Sequence, residues 1–222
     1  MLEVEAKFQV ISPVVFDQIR SQEKVIDYTL SERFNISQLD TYFDTTTGTF
    51  LRQGASFRLR QKGLTPPVVA EKVQLVTFKT QTEEIYTRTE LEMPITDQQM
   101  QMLLSGKFEK IHVKAVEAAL SHLKGEKIFP VLHVENTRET WRVNSNAGCV
   151  EVCLDNVQYA DMDKTQSVQE YGIELELKEG EAAFLQQIAD ALSQQYDLIP
   201  VFQSKYERGI EILNAFADST EK

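Results

Sequence analysis

The chain has 222 residues, 42% of them hydrophobic, and a formal net charge of −11. That apolar content supports a folded core and excludes a disordered chain, while the negative balance argues against a non-specific nucleic-acid binder. No apolar run approaches the roughly 18 residues of a membrane-spanning helix, and the charged opening Met1–Lys7 is unlike a signal peptide. Cys149 and Cys153 lie four residues apart, about 13 Å along a strand and outside disulfide reach. Neither they nor His112, His122 and His133 have zinc-site spacing. A soluble, reduced, cytoplasmic protein is expected, with one domain over residues 1–222.

The first ten residues alternate: Leu2, Val4, Ala6, Phe8 and Val10 against Glu3, Glu5, Lys7 and Gln9, a strand with one polar face. Ser12-Pro13 opens a helix toward Gln22, serine as N-cap and proline in the first turn. Strands are predicted over 38–45 and 55–62, with a turn at Thr45–Gly48 after the first and a loop at Pro66-Pro67 after the second. Strands over 73–81 and 84–93 form a hairpin joined near Thr82-Glu83, and Pro94 ends it. Thr96-Asp97 caps a helix through Leu104, and Val113–Leu123 is another, closed by Gly125. Strands at 131–143 and 149–158 flank the turn Asn144–Gly148; residues 159–169 read as a loop, and 171–178 as the eighth strand. An amphipathic helix over 181–195 is broken by Ile199-Pro200, and Ser204 caps a last helix to about Phe216. Eight strands, mostly joined in sequence, and five helices predict an α+β fold around a mainly antiparallel sheet.

The polar faces of these strands are heavily charged. Glu3, Glu5 and Lys7 come from the first, Arg58 and Arg60 from the third, and Lys79 from the fourth. Arg88, Glu90 and Glu92 come from the fifth, Arg138 from the sixth, Glu151 and Asp155 from the seventh, and Glu174 and Glu176 from the eighth. Within each strand the spacing is two, so the charges share a face. Glu beside Glu on one face is repulsive, and a solvated surface has no need of it. A divalent cation at the acids and a polyanion at the bases would account for both clusters, with Mg²⁺ or Mn²⁺ suiting carboxylate oxygens. If the sheet closes with the charges inside, the helices must cover an apolar outside.

In their order, Glu3-Val4-Glu5-Ala6-Lys7, Thr41–Thr45, Phe57-Arg58-Leu59-Arg60, Phe78-Lys79, Arg88-x-Glu90-x-Glu92, Arg138, Glu151…Asp155, Glu174-x-Glu176 and Ser204-Lys205-Tyr206-x-Arg208-Gly209 resemble the CYTH family, also called triphosphate tunnel metalloenzymes. The resemblance runs from residue 2 to about 213. It implies a closed antiparallel tunnel of eight strands with a charged interior and helices packed outside. It also implies hydrolysis of inorganic triphosphate, thiamine triphosphate or nucleotide triphosphates, or cyclisation of ATP, with a divalent metal. Some bacterial members carry a further helical domain, which is not expected in a chain ending at Lys222.

Residue by residue, the resemblance makes Glu3, Glu5, Glu174 and Glu176 metal ligands, as two facing E-x-E pairs, with Asp155 and Glu151 as further candidates. It makes Lys7, Arg58, Arg60, Lys79, Arg88, Arg138, Lys205 and Arg208 the triphosphate grip; arginine pairs bidentately with phosphate oxygens. Lys205 and Arg208, three apart on a helix, could both enter one tunnel mouth. Glu90 and Glu92 are either ligands or ion-pair partners of Arg58 and Arg88. Lys7 and Tyr42 resemble a pair that activates water in short bacterial members; metal-bound water with Tyr42 as positioner, or Tyr42 as packing, are the alternatives. The expected function is metal-dependent hydrolysis of inorganic triphosphate, with thiamine triphosphatase or ATP-cyclising adenylyl cyclase as alternatives, and a non-catalytic polyphosphate or nucleotide sensor as one of another class. The expected partner is a small-molecule triphosphate, with no nucleic acid or membrane; a homodimer is left open.

Overall fold

Strand alternation sets the architecture. A computed structural model of the chain describes residues 2–31, 33–64, 73–81 and 87–220. In order these form β1 (Leu2–Val10), α1 (Pro13–Arg20), β2 (Lys24–Val25), β3 (Tyr28–Thr29), β4 (Phe34–Asp44), α2 (Thr49–Arg52), β5 (Ser56–Leu64), β6 (Val73–Gln81) and β7 (Thr87–Pro94). There follow α3 (Asp97–Leu104), a 3₁₀ turn (Phe108–Lys110), α4 (Lys114–His122), β8 (Phe129–Ser145), β9 (Gly148–Ala160), β10 (Ser167–Gly180), α5 (Ala182–Gln195), β11 (Leu198–Pro200) and α6 (Lys205–Thr220). The Pro66-Pro67 loop and the connection at Thr82-Glu83 lie outside the described residues.

Eight strands close into an antiparallel barrel in the order β1-β7-β6-β5-β4-β8-β9-β10, and β10 returns to β1. Closure removes the free edges of the sheet. The loop expected over 159–169 is shorter than predicted, because β9 runs to Ala160 and β10 begins at Ser167. Asp161 ties the remaining turn, accepting from the Thr165 hydroxyl at 2.6 Å and the Gln166 amide at 3.2 Å. Instead of merely breaking the chain, Ile199-Pro200 belongs to β11, which pairs with the end of β1.

Apolar outer faces are covered by helices. Core residues of β1, β8, β9 and β10, including Phe8, Trp141, Val152 and Leu175, pack with Phe184, Ile188 and Leu192 of α5. On the other side Phe43, Phe57, Val76 and Phe78 pack with Phe50 of α2, Leu103 of α3 and Ala115, Val116 and Ala119 of α4. Local signals set the helix starts: Ser12 accepts from the Val14 amide at 3.3 Å, and Thr96 and Gln99 form a capping box. A third apolar cluster joins Tyr42, Leu132, Val134, Val157 and Tyr159 of the strands to Tyr206 and Ile212 of α6. Gly209 permits that contact, since a Cβ there would meet Leu132 Cδ2 at 2.6 Å. Among the described residues, no helix is long and apolar enough to cross a membrane.

Candidate functional site

The inner face of the barrel encloses a cavity of about 240 Å³. Its lining draws on β1, β4 to β10 and the first residues of α6, and carries more basic than acidic side chains. Glu3, Glu5, Lys7, Tyr42, Arg58, Arg60, Lys79, Arg88, Arg138, Glu174, Glu176 and Lys205 all line it. These residues come from eight elements far apart in sequence. Period-two alternation brings them together once the sheet closes.

The arginine wall is held by acids. Asp40 on β4, which the sequence reading passed over, is 1% exposed and sits opposite Arg60 of β5. It accepts from Arg60 Nε at 2.7 Å and Nη2 at 2.6 Å, and lies 3.5 Å from Arg58 Nη1. Burial pushes the Asp40 carboxyl pKa up; Arg60 and Arg58 more than reverse this, and it lies below its ordinary value. Asp155 holds Arg138 the same way, with both contacts at 2.6 Å, and Lys205 at 2.8 Å. Asp155, 1% exposed, thus braces two bases and lines a smaller crevice beside the main cavity rather than the cavity itself. Its pKa is lowered because Arg138 and Lys205 outweigh burial.

Lys205 enters the barrel because Ser204 and Glu207 form a second capping box: Ser204 N donates to Glu207 Oε2 at 2.7 Å, and Glu207 N to Ser204 Oγ at 3.1 Å. That makes Lys205 the first residue of α6, and its ammonium bonds Asp155 and Glu174. Tyr206 is fixed by donating to Asp44 at 2.7 Å, while Asp44 also accepts from the Thr45, Phe50 and Leu51 amides. Arg208 is bound by Glu170 at 2.6 Å and Glu211 at 3.1 Å, and with Lys205 it lines the smaller crevice beside the main cavity.

The E-x-E pairs do not face each other across the tunnel. Strands β1 and β10 are neighbours, with Glu5 opposite Glu176 and Lys7 opposite Glu174; Glu151 of β9 continues the row beside Glu176. Sheet order is a global property that no local pattern encodes. Glu3 pairs with Lys79 at 2.5 Å, Glu5 with Lys7 at 2.5 Å, Glu174 with Lys205 and Arg138, and Glu176 with Lys178 at 2.6 Å. Burial raises the Glu176 pKa, Lys178 opposes the rise, and Glu3 and Glu151 add to it. Among the described residues no three acidic, histidine or cysteine side chains converge as a ready metal cage. The donors nevertheless fit a hard divalent ion of the kind held by one or two carboxylates, waters and phosphate oxygens.

Lys7 and Tyr42 stand on opposite walls of the barrel. The lysine bonds Glu5, while the tyrosine hydroxyl accepts from Arg58 at 3.4 Å and its ring stacks on Tyr206. Glu92 accepts from Thr77 at 3.0 Å and lies 3.9 Å from Arg58; Glu90 lies 3.2 Å from Lys79. Arg88 instead approaches Glu5 at 3.7 Å and donates to the Phe202 carbonyl at 3.0 Å. Cys153 lines the cavity, but burial pushes its thiol up to about 11, so it is no nucleophile at neutral pH. Lys178, also missed, continues the parity of Glu174 and Glu176. Arg58 Nε is buried with no hydrogen-bond partner among the described residues, a leftover donor on a cavity-lining cation.

A closed antiparallel barrel with charges inside and helices outside defines the class of fold. The CYTH domain profile matches residues 1–210, and the chain belongs to the CYTH family. A candidate adenylate cyclase from Bacillus halodurans is 21% identical with a TM-score of 0.62, over 93% of this chain and 96% of that one. A candidate adenylyl cyclase from Hippeastrum, described as having a dominant triphosphatase activity, is 15% identical with a TM-score of 0.62, over 92% and 93%. A protein from Pyrococcus horikoshii is 18% identical with a TM-score of 0.59, over 94% and 98%. A search of curated proteins gives no match.

Proposed function

We propose that the protein is a soluble, divalent-metal-dependent triphosphatase that hydrolyses inorganic triphosphate inside its barrel. The observation that carries this reading is the convergence of Arg58, Arg60, Lys79, Arg88, Arg138 and Lys205 on one enclosed cavity that also holds Glu3, Glu5, Glu174 and Glu176. A surface patch has no need of both sets in one enclosure, and a pure anion binder gains nothing from the acids. Arginine forks grip phosphoryl oxygens bidentately, and Lys79 and Lys205 add point charges. Mg²⁺ or Mn²⁺ held by Glu3, Glu5, Glu174 or Glu176 would neutralise charge on the bridging oxygens. The bases stabilise the charge that grows on the terminal phosphoryl group during in-line attack by water. Tyr42, its hydroxyl beside Arg58, orients that water, and Lys7 on the opposite wall steadies Glu5 and the substrate's charge.

The test is a substrate panel of triphosphate, thiamine triphosphate and ATP, each with and without Mg²⁺ or Mn²⁺, with products identified. Phosphate release from triphosphate only in the presence of metal is expected. Preferential release from thiamine triphosphate, or a cyclic nucleotide from ATP, would reassign the substrate. Tight binding of triphosphate without release under either metal would make the protein a sensor.

A further inference from the structure

A buried polar chain crosses three strands of the barrel and ends on the cavity wall. Its members are Asp155 of β9, Asn136 of β8 and Gln38 of β4, all buried, with Gln38 directly opposite Asn136 in register. Asp155 fixes one end. Its two oxygens take the Arg138 fork and the second also bonds Lys205, so the carboxyl is ionised and can only accept. Asn136 therefore turns its amide nitrogen that way: Nδ2 donates to Asp155 Oδ1 at 2.9 Å and to Gln38 Oε1 at 3.2 Å. Turned over, the amide would set its oxygen against two acceptors. It keeps this orientation although Asn136 Oδ1 is left buried with no hydrogen-bond partner among the described residues. The polarity passes on to Gln38. With its oxygen taken by Asn136, Gln38 offers its surroundings the Nε2 hydrogens as donors. Gln38 lines the main cavity, whereas Asn136 and Asp155 do not. Among the described residues, none accepts from Gln38 Nε2.

We infer that Gln38 is a substrate-binding residue, which donates through Nε2 to a non-bridging oxygen of the bound triphosphate. The inference rests on the proposed triphosphate site and adds a neutral donor to its grip of arginines and lysines. Strand β4 lies across the barrel from β1, so this contact faces the wall that carries Glu3 and Glu5. With its only side-chain oxygen engaged by Asn136, Gln38 offers a metal ion no ligand, which leaves the metal to the acids on the far wall. Asn136 does not touch the substrate; it sets which end of the Gln38 amide the substrate meets.

Titration calorimetry of triphosphate with Mg²⁺ tests this without depending on turnover. Gln38→Met keeps the length and neutrality of the side chain and removes the donor. A hydrogen bond to a charged group is worth a factor of about ten to a hundred, so a Kd raised about tenfold or more is expected. A Kd unchanged from wild type overturns the inference, and a lowered melting temperature beside that unchanged Kd would make Gln38 a packing residue. Should the methionine variant not fold, Gln38→Glu carries the test, because it keeps an oxygen for Asn136. It is compared with Ile36→Glu, which adds the same charge two residues along the same cavity wall and removes no donor. A greater loss of affinity in Gln38→Glu is expected, and an equal or smaller one overturns the contact. If wild type binds triphosphate and never hydrolyses it, the triphosphatase reading falls while the Gln38 contact is still decided. If wild type does not bind triphosphate, both fall.

Discussion

Two walls of the barrel handle charge in opposite ways. On β4 and β5, Asp40 is buried between Arg60 and Arg58 and its carboxyl is held below the ordinary range. On β1, β10 and β9, Glu5, Glu176 and Glu151 stand side by side in register, and the Glu176 carboxyl is raised. The first wall is braced without a ligand: one buried acid orients both arginine forks in advance and leaves Arg58 Nε without a hydrogen-bond partner among the described residues. The second is left in conflict, relieved only in part by lysines that a metal could displace. Prearranged bases beside under-compensated acids are what a site for a metal-bound polyanion requires, and functional sites retain such local conflict at some loss of stability.

The largest expected effect comes from removing metal. Excess chelator should abolish turnover while the circular dichroism spectrum and melting temperature stay near those of the metal-free protein, because strand pairing builds the barrel. Full activity in chelator would remove the proposed role of the acidic wall.

Next is Asp40→Ala. It strands Arg58 and Arg60 in a buried setting, and breaking a buried pair from one side costs about 3–5 kcal/mol. The sign with pH follows from the lowered pKa. The contribution of Asp40 is present above the ordinary carboxylate range and fades as pH falls through the lowered value. Denaturant melts should therefore show a large gap between wild type and variant at neutral pH that narrows only in strong acid. A variant as stable as wild type at neutral pH would mean that the arginine wall is not braced by Asp40.

Lys205→Ala has a smaller reach. Asp155 and Glu174 keep Arg138, so the fold should hold. One charge-assisted contact is worth about 1.5–3 kcal/mol, so kcat/KM for triphosphate should drop about tenfold to a hundredfold. Unchanged kinetics would take α6 out of the substrate grip.

The legibility of these features in sequence follows their range of interaction. Strand alternation made the inner face readable, and Ser204 with Glu207 marked the start of α6 three residues apart. Asp40 was within reach of the same reasoning, since it shares the parity of Tyr42. Lys178 likewise follows Glu174 and Glu176. Three features were out of reach. The adjacency of the E-x-E strands depends on how the sheet closes, β11 is three residues long and contains Pro200, and the apolar cluster under α6 exists only when α6 folds back on Leu132 and Tyr159. The partner that holds Arg208, Glu170, is 38 residues away in sequence.

The smallest expected effect carries the sharpest sign. Glu176→Gln keeps an oxygen that can accept from Lys178 and removes the charge that Glu3 and Glu151 repel. Because the folded-state pKa of Glu176 is raised, its favourable contribution lies on the acid side and is lost as pH rises through the raised value. At neutral pH its ionised form is a burden, so the metal-free variant should melt at the same temperature as wild type or slightly higher. That advantage should disappear below about pH 4, where wild-type Glu176 is protonated as well. Mg²⁺ or Mn²⁺ should then reverse the order, raising the melting temperature of wild type more than that of the variant by linkage to the folded state. If Glu176 were only a strut for Lys178, the opposite pattern would appear: a variant melting well below wild type without metal, and a wild type indifferent to metal. Four melting curves, each protein with and without metal, separate a wall held in conflict for a ligand from one that is merely braced.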